Sequence, residues 1–124
     1  MELIGIGLIT KDVLALAKFY SEILGVVGEG NETHMELKTK NASIAIFSLE
    51  GMESLAPNSM VGAGYGSFTI NFEVKDVDIE YERLKELAVE FIKLPITHPW
   101  GSRSMWFRDP DGNIVNFVTL GKNN

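Results

Sequence analysis

The tripeptide Lys-Asp-Val occurs twice, as Lys11-Asp12-Val13 and Lys75-Asp76-Val77, 64 positions apart, and each copy stands at the same kind of joint. Ahead of the first copy, Leu3 to Thr10 (LIGIGLIT) alternates, with Ile4, Ile6 and Leu8 on one face and Leu3, Gly5, Gly7 and Ile9 on the other. Ahead of the second, Ser67 to Val74 (SFTINFEV) sets Phe68, Ile70, Phe72 and Val74 against Thr69, Asn71 and Glu73. Both are patterns of a half-buried strand. Past each joint the spacing becomes helical: Val13, Leu16, Ala17, Tyr20, Ile23 and Leu24 in one case, Val77, Tyr81, Leu84 and Leu87 in the other. Asp12 and Asp76 are good N-caps, and Gly25 is a helix stop. A chain that repeats strand, capped helix and joint folds as two copies of one unit.

The remainder of each half repeats too. Asn41 to Leu49 (NASIAIFSL) and Gly112 to Leu120 (GNIVNFVTL) are β-rich and superimpose at an offset of 71. Each follows a turn, Lys40-Asn41 in one and Pro110-Asp111-Gly112 in the other, and each turn follows a further strand, 34–39 and 102–108. The expected fold class is therefore α+β, with a β-α-β-β-β module over 1–49 and another over 67–121 in one domain. Residues 50–66, rich in Gly, Met and Ser, have the composition of a linking loop, long enough to act as a flap.

With 124 residues, 45% of them hydrophobic, the chain has enough apolar surface for a core. It has no cysteine, which removes disulfides, thiolate metal sites and a thiol nucleophile. A formal charge of −6 argues against nucleic acid as partner, and no apolar run approaches the roughly 20 residues that span a bilayer. The expectation is a soluble, unprocessed, cytoplasmic protein. Neither His34 nor His98 stands in a nucleophile motif, and Gly62 to Gly66 (GAGYG) precedes a strand rather than opening a helix, so it is no phosphate loop.

The paired modules, the opening LIGIGLITKDVLALAKFYSEILG and the closing RDPDGNIVNFV together resemble the vicinal oxygen chelate superfamily, which includes glyoxalase I, extradiol dioxygenases and bleomycin-binding proteins. The resemblance implies that each module curls its sheet into a cup with the helix on the convex side. In the superfamily's metalloenzymes two His and two Glu, from the first and last strands of each module, hold a divalent ion. The matching positions here are Gly5, Thr69, Ala45 and Asn116, a set with almost no donor for such an ion. The resemblance thus implies no metal and no cofactor; the alternative is a relocated metal site drawn from His34, Glu36, Glu73 and His98.

Pro99 to Asn113 (PWGSRSMWFRDPDGN) resembles the corresponding stretch of the bleomycin-binding members, dimers that sequester a flat, often cationic antibiotic in an aromatic-lined groove. The candidate ligand-binding residues are Phe47, Tyr65, Asn71, Glu73, Trp100, Arg103, Trp106 and Asn116. The aromatics would stack on a planar or cationic ligand, Glu73 would pair with a cation, and Arg103 would clamp a carboxylate or phosphate. Alternation separates Ser102, Ser104 and Trp106 from Met105 and Phe107, and leaves open which set faces the cup. The functional expectation is metal-free binding of a small aromatic or cationic molecule by a homodimer. A glyoxalase-like lyase or isomerase, with a displaced metal or none, and a small-molecule sensor whose 50–66 loop closes on its ligand are the alternatives.

Overall fold

A computed structural model describes residues 2–64 and 68–121 of the chain. It divides into two compact units, Met1–Gly64 and Tyr65–Asn124. In the first, β1 (Gly5–Thr10), α1 (Val13–Leu24), β2 (Glu29–Gly30), β3 (His34–Lys38) and β4 (Ser43–Ser48) are followed by a short helix, α2 (Leu49–Leu55). The second runs β5 (Thr69–Glu73), α3 (Val77–Lys85), β6 (Glu90–Thr97), β7 (Arg103–Arg108) and β8 (Ile114–Thr119). Each unit builds one four-stranded sheet, ordered β1-β4-β3-β2 and β5-β8-β7-β6. In both, the first strand pairs parallel with the last and the other pairs are antiparallel.

The repeat seen in sequence carries through to the register. Gly5 pairs with Ser43, 38 residues on, and Thr69 pairs with Ile114, 45 residues on. These two steps differ by 7, as do the sequence offsets of 64 and 71, so the modules superimpose residue for residue along both strands.

Helix α1 starts where Asp12, in extended conformation, accepts a hydrogen bond from the Ala15 amide, and it stops at Gly25, whose φ of 68° is left-handed. It buries Val13, Leu16, Ala17, Tyr20 and Ile23, and the sheet it packs on contributes Leu8, Leu37, Ile44 and Ile46. Helix α3 is shorter and buries only Val77 and Leu84, under an Asp76 cap that accepts from Asp78 and Ile79. An aromatic chain compensates. Tyr81, Phe91, Phe107, Phe117 and Phe72 meet edge to face with centroids 5.0, 6.5, 5.0 and 5.8 Å apart, running from α3 across all four strands of the sheet. Each such pair contributes about 0.5–1.5 kcal/mol beyond its buried area.

One expectation is overturned. The stretch 50–66 is not loop throughout, because its first residues belong to α2, capped by the Ser48 hydroxyl accepting from the Gly51 amide. Gly51 reads as a loop residue, but it is buried in the helix: a Cβ there would lie 3.0 Å from Thr33 Cγ2 and 3.2 Å from Ser48 Oγ. Close packing, not flexibility, is what its missing side chain provides. Strand β1 is also shorter than the alternation suggests, leaving Leu3 and Ile4 exposed ahead of it.

The β7–β8 turn is held by Asp109, which is 4% exposed. Its Oδ1 accepts from the amides of Asp111 (2.9 Å) and Asn113 (2.8 Å), and its Oδ2 accepts from Asn113 Nδ2 (2.8 Å). Replacing Asp109 with Ala orphans the buried Asn113 donors and should destabilise the protein by about 2–3 kcal/mol in a denaturant titration. Unchanged stability would mean the turn holds itself.

Candidate functional site

In each unit one sheet face packs on the longer helix, α1 or α3, and strand alternation sorts the candidate residues between that face and the opposite one. In the second unit Met105 and Phe107 are fully buried on the helix side, so Ser104 and Trp106 take the other, open face. The register then assembles that face in rows across the strands. Lys93 of β6, Trp106 of β7, Asn116 of β8 and Asn71 of β5 form one row; Ile96, Ser104, Val118 and Glu73 form the next. Four of the sequence candidates, Asn71, Glu73, Trp106 and Asn116, are thus brought together.

Hydrogen bonds tie the first row together. Asn116 Nδ2 donates to Asn71 Oδ1 at 2.9 Å, and Thr69 Oγ1 donates to the same oxygen at 3.1 Å. Asn116 Oδ1 is buried without a partner. At the other end Lys93 Nζ stands 4.9 Å from the centroid of the Trp106 ring and bonds Ser104 Oγ at 2.6 Å. The same ammonium reaches His98 Nε2 at 2.9 Å, and that nitrogen also lies 2.9 Å from Ser104 Oγ. Loss of water around Lys93 lowers its pKa, since burial penalises the charged form.

The β6–β7 connection carries the other tryptophan. Trp100 is 68% exposed, lies parallel to the His98 ring at 4.6 Å and 3°, and donates from Nε1 to Ser102 Oγ at 2.8 Å. Its outer face is open to a stacking partner. Lys93 and Ser104 escaped the sequence reading. The signal was there: Lys93 is the lone charge in the apolar run Phe91 to Ile96.

Arg103 is not brought to this face. It alternates with Ser104 onto the helix side, where its guanidinium forms a two-point pair with Asp78 of α3, Nε to Oδ2 and Nη2 to Oδ1, both 2.9 Å. A third bond goes to Thr97 Oγ1 at 3.1 Å. Those bonds hold the Asp78 carboxyl below its ordinary pKa. Tyr65 lies outside the described residues.

In the first unit the open face bears Gly7, Ala45, Glu36 and Glu29 in one row, Ile9, Phe47 and His34 in the next. The His34 and Phe47 rings stack at 4.7 Å. Val27, Glu29, His34, Glu36 and Lys38 line a shallow pocket of about 180 Å³.

The four positions where the resemblance would put metal ligands do not fit a divalent ion. A Cβ at Gly5 would lie 2.5 Å from the Ser43 carbonyl oxygen, so β1 and β4 approach too closely there for any side chain. Ala45 has no donor, Thr69 is spent on Asn71, and Asn116 offers a neutral amide. Among the described residues no three His, Asp or Glu side chains are gathered to hold an ion.

A family model described as Glyoxalase/Bleomycin resistance protein/Dioxygenase superfamily matches residues 3–117. An uncharacterized protein of Bacillus subtilis (strain 168), YraH, is 30% identical over 97% of this chain and 99% of its own length. Among solved structures, a glyoxalase/bleomycin resistance protein/dioxygenase family enzyme from Burkholderia phytofirmans PsJN superimposes with a TM-score of 0.85 at 19% identity, covering 97% of this chain and 99% of that one. The lactoylglutathione lyase of Agrobacterium tumefaciens gives 0.77 at 21% identity, covering 95% and 92%. At these identities the two structures are similar in fold.

The Arg103–Asp78 pair has a pH signature of its own. Because Arg103 lowers the Asp78 pKa, the pair stabilises the folded chain above the ordinary carboxylate range, and that contribution disappears as pH falls through the lowered value. Arg103→Gln should therefore lower the Tm at about pH 7, by an amount that shrinks as the pH falls through the lowered Asp78 pKa. A Tm difference that persists undiminished in acid would assign the effect to packing instead.

Proposed function

We propose that this chain, which belongs to the Glyoxalase/Bleomycin resistance protein/Dioxygenase superfamily, binds and sequesters a small aromatic molecule, such as an antibiotic, without a metal. The observation that carries the reading is the row Lys93, Trp106, Asn116 and Asn71 on an open sheet face. A half-buried indole supplies a flat apolar surface, and the amides and ammonium beside it supply fixed polar contacts, the division of labour that small-molecule sites use. Asn116 Oδ1 adds a buried acceptor in want of a donor.

Charge has a direction on this face. Lys93 is on the edge strand β6, and Glu73 is on the opposite edge strand β5, three strand spacings or about 14 Å away. A flat ligand lying across the strands with a cationic group toward Glu73 suits that arrangement. A lyase or isomerase that held its metal at Gly5, Ala45, Thr69 and Asn116 would lack ligands for it there. A homodimer completes the proposal: Leu3, Ile4, Val27 and Val61 are each more than three-quarters exposed, and a second copy in the cytoplasm is the partner that would cover them.

Two measurements test the reading. Elemental analysis after dialysis should find no stoichiometric Ni, Zn, Fe or Mn; one ion per subunit would overturn the metal-free proposal. A set of flat probes, 2-naphthoate, 2-naphthamide and naphthalen-2-ylmethylammonium, should shift the two indole N–H resonances of the protein, one from Trp100 and one from Trp106. Trp106→Ala should weaken the best of these probes by about 1–3 kcal/mol without loss of fold. No shift with any of the three would sink the aromatic-ligand reading.

A further inference from the structure

Among the described residues Lys93 forms no ion pair. It occupies an edge strand among Ile92, Leu94, Pro95 and Ile96, and its water is partly stripped away. The groups it touches are a hydroxyl, an imidazole nitrogen and an indole face, none of them an acid. In the second unit Asp78 is paired with Arg103, Glu80 with Arg83, Glu82 with Lys85 and Glu90 with Arg108, and Glu73, on the same open face, is three strand spacings from Lys93. A partly desolvated cation of this kind is stabilised by an anion brought from outside.

The hydrogen-bond count identifies the anion. Lys93 offers three N–H donors and Ser104 one O–H, a total of four within bonding distance of one another. Ser104 Oγ takes one N–H from Lys93, since a single ammonium does not give two to the same oxygen, and the single lone pair of His98 Nε2 is approached at 2.9 Å by both Lys93 and Ser104. Two donors are left over. If the His98 tautomer carries its proton on Nε2, the surplus is larger. Ser104 is only 4% exposed, so its hydroxyl has no bulk water to turn to.

We propose that Lys93, Ser104 and His98 form a carboxylate-binding subsite, so that the ligand is an aromatic carboxylate whose ring lies on Trp106. This rests on the aromatic-ligand reading above and gives the ligand its anionic end. A carboxylate presents two acceptor oxygens in one plane, which matches two surplus donors, one of them charged. Its arrival relieves the competition at His98 Nε2 and leaves that ring free to stay stacked on Trp100.

The naphthalene probes separate this proposal from the reading beneath it, because they share a ring and differ at one group. On the full chain, followed by isothermal titration and the indole N–H resonances, 2-naphthoate should bind at least tenfold more tightly than 2-naphthamide or the ammonium probe. Lys93→Met should abolish the preference for naphthoate over the amide, and Lys93→Arg should recover part of it. Should Lys93→Met fail to fold, Ser104→Ala serves, with a smaller loss of the same preference. Amide or ammonium binding as tightly as the carboxylate overturns the subsite and leaves the aromatic-ligand reading standing. Binding by none of the three overturns both. A naphthoate preference that survives Lys93→Met, or displacement of naphthoate by inorganic phosphate at equal concentration, also counts against the assignment.

Discussion

Parallel pairing of the first strand of each unit with its last strand joins segments 38 and 45 residues apart, and nearly every functional contact is laid out by it. In the second unit it sets Asn71 beside Asn116 and Glu73 beside Val118. The β7–β8 hairpin then carries Trp106 and Ser104 into the same rows, and β6 adds Lys93. Pairing of this kind demands a crossover between the strands, and the capped helix supplies part of it. The edge-to-face chain from Tyr81 to Phe72 locks the other side of the sheet, which leaves the open face free of any duty to hold the fold together.

The two units share that frame and have parted in chemistry. By register, His34 corresponds to Ser104 and Glu36 to Trp106, while Met35 and Leu37 correspond to Met105 and Phe107. The helix-facing members of each pair stay large and apolar because the core requires them. Those on the open face are under no such demand, and they have become acidic with a stacked imidazole in one unit, cationic and indole-bearing in the other. The same divergence explains Gly5 and Thr69. Backbone approach to Ser43 is so close at Gly5 that no side chain fits, whereas Thr69 has room to bond Asn71.

What escaped the sequence reading escaped for identifiable reasons. Helix α2 hides because Gly51 counts as a breaker in any composition argument, though its place is set by contact with Thr33. Lys93 hides because β6 is interrupted by register shifts between Phe91 and Lys93 and again before Ile96, so its alternation does not run true. Pro95 within it is tolerated because β6 is an edge strand. Arg103 looked like a ligand clamp for want of a visible partner: Asp78 is 25 residues away, a separation that no local pattern reports.

The sequence by itself determined the β-α-β-β-β modules, the two Asp caps, the superfamily and, through two offsets that differ by 7, that the parallel strands of the two modules correspond residue for residue. These are consequences of periodicity and repetition, which are local or self-referential and so survive in a single chain. Only the tertiary structure decided which way each strand turns. It put Met105 and Phe107 against the helix and Trp106 outward, spent Arg103 on Asp78, and closed Lys93, His98 and Ser104 into one cluster. The physical reason is that alternation defines two faces without ranking them. The ranking comes from whichever face the helix covers, and that depends on contacts between residues far apart in the chain.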